Sequence, residues 1–248
     1  MRRTFMGDPE LTMSPVAKPG ITRVVIDQDR SQSPTFDGMS FGSVGQYEKL
    51  RGIAYGELDP SDPRNAVITD IKLAPTNARG MVEYSMDIFI LKPINLNRGN
   101  HRLLFDFNNR GEMRVGLLND AALTNDPTSS IDAGTGFIMN LGYSVVSNGW
   151  DCGSTGYDSM KITVPVATHD GTPITGPSYE YIAHDNGSTM TSALEYPAAT
   201  TEKSQASLTV RGRLDDEPTA VPENGWDYTS SEGSAICLLP IKTPFLKS

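Results

Sequence analysis

The chain has 248 residues and a formal charge of −9, from 21 Lys and Arg against 30 Asp and Glu. That balance argues against a nucleic-acid binder driven by phosphate contacts and against a basic membrane-surface protein. With 23 glycines and 17 prolines the composition favours turns and short strands over long helices.

No apolar run approaches the roughly 20 residues a transmembrane helix needs. The start, MRRTFMGDPELTMSPVAKPG, is basic like a signal peptide but has no apolar stretch behind it. The expected address is cytoplasmic, or secreted or periplasmic if the true N-terminus differs. Cys152 and Cys237 show no metal spacing and are read as plain thiols, with one disulfide between them left open.

Residues 1–20 read as a flexible lead-in and residues 21–26 (ITRVVI) as the first strand. Residues 32–45 form a Ser/Gly/Pro loop. It holds Gly38-Met39-Ser40-Phe41-Gly42, a formal match to the G-x-S-x-G nucleophile elbow. That elbow needs a buried strand before the serine and a helix after it, and neither flank fits, so the match is read as chance. Residues 46–58 begin polar and run into a strand at 53–58. After the Asp59–Pro63 turn cluster, Val67, Thr69, Ile71 and Leu73 alternate with Ile68, Asp70 and Lys72, which predicts a half-buried strand. Val82, Tyr84, Met86, Ile88 and Ile90 give the clearest period-2 signal, ended by Pro93. The two alternating strands are expected to be antiparallel neighbours at the edge of a mixed sheet.

Residues 102–107 (RLLFDF) are the expected centre of that sheet, a short apolar strand ending in the turn Asn108-Asn109-Arg110-Gly111. A short helix over 112–123 and a second over 132–141, capped by Asp132 and Gly142, lead to a strand over 143–146. Strand, crossover, strand is the parallel βαβ unit, so the two strands should be parallel neighbours. From Lys161 onward short β segments alternate with loops, a β-rich insertion or cap over 161–248.

His101, His169 and His184 lie apart from one another and from ligand spacing, and are read as surface groups. Asp215-Asp216-Glu217 reads as a solvated turn, and Asn186-Gly187-Ser188 is a glycosylation sequon without a leader to support it. No cofactor motif and no metal signature is present, so none is expected.

The segments at 46–93, 102–113 (RLLFDFNNRGEM), 125–127 (NDP), 136–151 (GFIMNLGYSVVSNGWD) and 164–177 (VPVATHDGTPITGP), with the Trp226 stretch, together resemble one family. It is the largely uncharacterised bacterial α/β-hydrolase domain-containing proteins, and the resemblance covers roughly residues 33–245. It implies an α/β fold: a partial α/β-hydrolase-like mixed sheet over 21–160 with the β-rich insertion behind it. Residues 102–107 would be the strand before the oxyanion loop, which makes Asn109, Arg110 and Gly111 the oxyanion-loop candidates. Trp150 and Asp151, ending the next strand on the same side, are the pocket-lining candidates.

In that family the serine elbow would lie beyond Phe245, followed by the acid and the histidine. The chain is therefore read as a truncated hydrolase of ester or related acyl type, inactive alone. Its partners would be a small ester-like substrate in the full-length family, no nucleic acid and no membrane. Self-association is expected through a sheet edge at residues 143–146. The alternative is a non-catalytic β-rich binding or scaffold module. A third reading, a hydrolase using carboxylates such as Asp106 and Asp151, has no spacing to single it out.

Overall fold

The computed structural model describes residues 10–12, 19–154, 156, 158–183, 191–229, 233 and 235–238. It divides into two compact units, Met1–Ile174 and Thr175–Ser248. The first holds one sheet built from β1 (Glu10–Thr12), β2 (Gly20–Gln32), β3 (Ser40–Phe41), β4 (Gly45–Leu58), β5 (Val82–Pro93), β6 (Leu103–Asp106), β7 (Ser144–Asn148) and β8 (Ile162–Thr163). The order is β1-β2-β4-β5-β7-β6, with β3 beside β4 and β8 beside β5. Every neighbouring pair is antiparallel except β6 and β7, which are parallel, as their sequence suggests.

The expected α/β class is overturned. Among the described residues strands take 34% and helical turns 15%, and no helix reaches seven residues. The segment over 112–123 is helical only at Val115–Asn119, a 3-10 turn that Asp120 ends at φ 52°. The segment over 132–141 breaks into the 3-10 turn Ser130–Ala133 and the four-residue helix α1 (Phe137–Asn140). Between them Gly134 and Gly136 have φ 53° and 66°, a left-handed backbone that no α-helix tolerates.

Three strand assignments also change. Residues 67–73 form 3-10 turns and bends, because Asp70 sits at φ 56° and Val67 is 88% exposed. The partner of β5 is instead the whole of β4, paired from Tyr47↔Pro93 through Leu58↔Val82. Finally, β6 ends the sheet rather than centring it, and β7 lies enclosed between β5 and β6. The open edge thus falls at Leu103–Asp106 and not at residues 143–146.

The period of two decides which side chains of β4 and β5 share the core face. Tyr47 of β4 and Phe89 and Leu91 of β5 are buried there with Val145 of β7. Phe36, Phe41, Val44, Met113, Ala133, Ile138, Met139 and Met160 cover them from the loops and turns. Phe41 stands edge-on to both Phe36 and Tyr47, with ring centroids 5.6 and 5.5 Å apart. The Tyr47 hydroxyl lies within 3.1 Å of the Met139 and Tyr143 carbonyls, and burial pushes its pKa well above the usual phenol range.

Ser129, not Asp132, is the N-cap of the turn Ser130–Ala133 that carries this cover. Asp132 stands at the turn's third position as the acidic half of a capping box. Its carboxylate accepts the N–H groups of Thr128 (2.9 Å) and Ser129 (2.8 Å) and the Ser129 hydroxyl. Burial alone would raise its pKa. The N–H groups of Ser129 and Thr128, the Ser129 hydroxyl and the charge of Lys49 bring it below the ordinary 3.8 instead. We therefore expect Asp132→Ala to cost about 1 kcal/mol near neutral pH. A carboxylate with a depressed folded pKa contributes fully above the unfolded value and loses its contribution as pH falls through the folded one. Urea melts of variant and wild type should then converge in strong acid, and a gap that persists there would refute the assignment.

The second unit contains the three-stranded sheet of β11 (Thr191–Ala193), β15 (Ala235–Leu238) and β14 (Trp226–Tyr228), in that order. Trp226 is buried, with the Lys203 ammonium 5.9 Å from its ring centroid. A separate ladder joins β12 (Thr209–Val210) to β13 (Thr219–Ala220). The remaining short pair, β9 (Thr168–His169) with β10 (Thr172–Pro173), closes the first unit, to which β8 also belongs. Residues 179–183 join no ladder, and 215–217 form an exposed turn. His184 and the sequon at 186–188 lie outside the described residues. Cys152 and Cys237 are both free thiols.

Candidate functional site

Because β6 and β7 run parallel, the loops leaving them emerge at the same end of the sheet. That brings together all five residues singled out from the sequence: Asn109, Arg110 and Gly111 after β6, and Trp150 and Asp151 after β7. The Arg110 guanidinium donates from Nε to Asp151 Oδ2 at 2.6 Å. Asp151 is buried and also accepts the Gly153 N–H at 2.8 Å, whereas Arg110 keeps 39% of its side chain exposed. The Trp150 indole N–H donates to the Asn108 carbonyl at 3.0 Å, and its ring stacks on Phe107 with centroids 5.6 Å apart.

The turn itself is a tight reversal in which Asn109 and Glu112 exchange both backbone hydrogen bonds, at 2.8 and 3.1 Å. Arg110 and Gly111 sit at φ 49° and 89°, the signs a type I′ turn requires. Glycine is needed at the second position. A Cβ on Gly111 would run into the Ser159 and Ser154 hydroxyls and the Met160 carbonyl.

Asn108, buried beneath the turn, reads as its anchor. Its Oδ1 accepts the Gly111 N–H at 2.8 Å, and its Nδ2 donates to the Ser147 hydroxyl and the Asn148 carbonyl. The Asn109 and Gly111 N–H groups are thus both donated within the turn. Ser154 holds the Arg110 carbonyl at 2.7 Å.

A second anchor was not anticipated. Asn125 is buried; its Nδ2 donates to the Gly111 carbonyl (2.6 Å) and the Asp158 carbonyl (2.9 Å), and its Oδ1 accepts the Met113 N–H (2.8 Å). Arg51, 2% exposed in the middle of β4, donates to the Asn125 carbonyl and grips the Asp158 carboxylate with both terminal nitrogens, at 2.9 and 3.0 Å. Lys49, equally buried, pairs with Asp126, and Arg30 reaches Asp158 from β2. The one sequence signal for this network is the Asn125-Asp126-Pro127 triplet. Every buried side-chain polar atom among the described residues has a hydrogen-bond partner.

The remaining candidates stay apart. Asp106 is buried and accepts from the Arg114 N–H and the Ser147 hydroxyl, so it and Asp151 are each satisfied by their own partners. Ser40 lies exposed in the β3–β4 hairpin, opposite Gln46, with no helix after it. Among the described residues neither His101 nor His169 is hydrogen-bonded to a serine; His169 lies 3.6 Å from the exposed Asp170 carboxylate. A wide, open groove passes Asp70, Leu73, His169 and Ile174, without a buried polar group converging on it. Among the described residues no three His, Cys, Asp or Glu side chains cluster as metal ligands. None of their helices is long and apolar enough to cross a membrane. Comparison with protein-family models, curated proteins and solved structures finds no match to the chain.

Proposed function

We propose that this chain provides the oxyanion-side wall of an ester- or acyl-hydrolysing site of the bacterial α/β-hydrolase domain-containing family, and that it does not turn esters over by itself. The observation that supports this is the meeting of the Arg110–Gly111 turn and the Trp150–Asp151 loop at the C-terminal ends of two parallel strands. In open α/β folds ligands sit at the C-terminal ends of parallel strands, and the β6–β7 pair reproduces that one feature in a sheet that is otherwise antiparallel. Phe107 and Trp150 would receive the acyl or alkyl part of a small ester, and Arg110 its carbonyl oxygen.

Catalysis needs more. A serine triad supplies most of the rate, and an oxyanion wall alone leaves a small residual. Hydrolysis of activated esters is expected at the uncatalysed background, unchanged in Ser40→Ala; turnover that this substitution abolishes would overturn the proposal. Binding is read separately. The chain has two tryptophans, so Trp226→Phe leaves the Trp150 indole as sole reporter. Short-chain esters should quench it, and Arg110→Ala should remove the response.

A second reading, a non-catalytic β-rich binding module, is favoured by the preponderance of strand and by the apolar edge strand β6. An indole signal indifferent to every ester would select it.

A further inference from the structure

Among the described residues nothing pairs with the outer side of β6. Ser144 donates its N–H to the Arg102 carbonyl at 3.0 Å. By alternation Arg102, Leu104 and Asp106 therefore turn their backbone groups toward β7, while Leu103 and Phe105 present N–H and C=O on the open side. The side chains on that edge are apolar and unburied: Leu103 is 62% exposed, Phe105 50% and Phe107 74%. Phe105 touches Phe107 with centroids 6.5 Å apart, and Phe107 stacks on Trp150, so the three rings form one continuous ledge. Aromatic side chains bury about 150–250 Å² each. The exposed fractions then leave on the order of 400 Å² of apolar ledge, the size of the largest patch on an ordinary monomer, which is often functional.

We propose that β6 is a dimer edge whose occupant is the β6 of a second copy of this chain, paired antiparallel about a twofold axis at Phe105. The sequence is self-complementary in that register. Phe105 faces Phe105 of the second copy, and Leu103 faces Phe107 of the second copy on both sides of the axis, so three apolar pairs lie on one face. Arg102 stands opposite Asn108 of the second copy, so no like charges meet across the ladder. Asp106, the one ionised side chain between Leu103 and Phe107, lies on the other face, held by Arg114 and Ser147. An edge exposing strand backbone beside aromatic side chains is an unstable surface to leave open. A twofold pairing closes it without starting a fibre. The seam shares Phe107 with the ester-binding reading, but its test involves no ester, so each reading fails or stands on its own measurement.

Analytical ultracentrifugation of the full chain at tens of micromolar should give twice the chain mass. Phe105→Asp and Leu103→Lys each alter an exposed side chain. Each should weaken association at least tenfold while leaving the far-UV circular dichroism unchanged. Should Phe105→Asp fail to fold, Leu103→Lys decides alone. The proposal fails if the wild type is monomeric throughout, which would leave the edge to a strand from another protein. It fails equally if open-ended oligomers form, or if a dimer survives the folded variants.

Discussion

Arg51→Ala should destabilise the first unit by about 3 kcal/mol, the usual consequence of removing one partner from a buried ion pair. The guanidinium is 2% exposed and its two-pronged grip on Asp158 is the main compensation for that carboxylate, whose side chain is only 20% exposed. Without it Asp158 keeps Arg30 alone, and the Asn125 carbonyl loses a donor. The loss therefore exceeds that of one hydrogen bond. Arg30→Ala is the control. Arg30 is 44% exposed, so its share of the same carboxylate is screened by water and should be worth less than about 1 kcal/mol. Urea melts of both variants measure the difference; equal losses would mean that Asp158 does not depend on the buried partner.

Gly111→Ala should cost about 3 kcal/mol, from two separable causes. A left-handed backbone costs an L-residue roughly 1–2 kcal/mol, and overpacking a filled site adds about 1–3 kcal/mol. Gly80 separates the two causes, because it has φ 74° with nothing within 4 Å of an added Cβ. Gly80→Ala should show the backbone part alone. Chemical denaturation of the pair gives the packing part by subtraction. In the ester-binding reading, Gly111→Ala should also abolish the Trp150 response, since the displaced turn carries the Arg110 guanidinium with it. A Gly111→Ala as mild as Gly80→Ala would mean that the pocket around the turn is not filled.

The placement of the candidate residues was more legible in the sequence than the fold class. The apolar runs at 102–107 and 143–146, separated by a long crossover, sufficed to make the strands parallel, and parallel strands carried Arg110 and Asp151 to the same end. The alternation of 82–90 was equally legible, although the core lies on the face of Phe89 and Leu91 rather than that of Ile88 and Ile90. The crossover was not legible as turns. Its apolar spacing suits a helix, but Gly134, Gly136 and Asp120 take backbone angles that spacing does not encode. Residues 67–73 failed in the converse way, with a strand-like alternation that the left-handed Asp70 cancels. Lys49 and Arg51 were hidden for another reason. Long basic side chains at alternate positions resemble a solvated face unless their partners are known, and Asn125, Asp126 and Asp158 lie 74 to 107 residues further along the chain.

The unequal lengths of the ladders have a mechanical consequence. β4 and β5 are joined through twelve consecutive residue pairs, whereas four pairs hold β6 to β7. Opening free energy grows with the number of cooperatively bonded neighbours, so it falls steeply from the middle of the slab to its rim. The Arg110 turn is mounted on that rim. It moves with a short rim strand, while the Arg51 tether reaches back through Asn125 to the long β4–β5 ladder and sets how far the turn can stray.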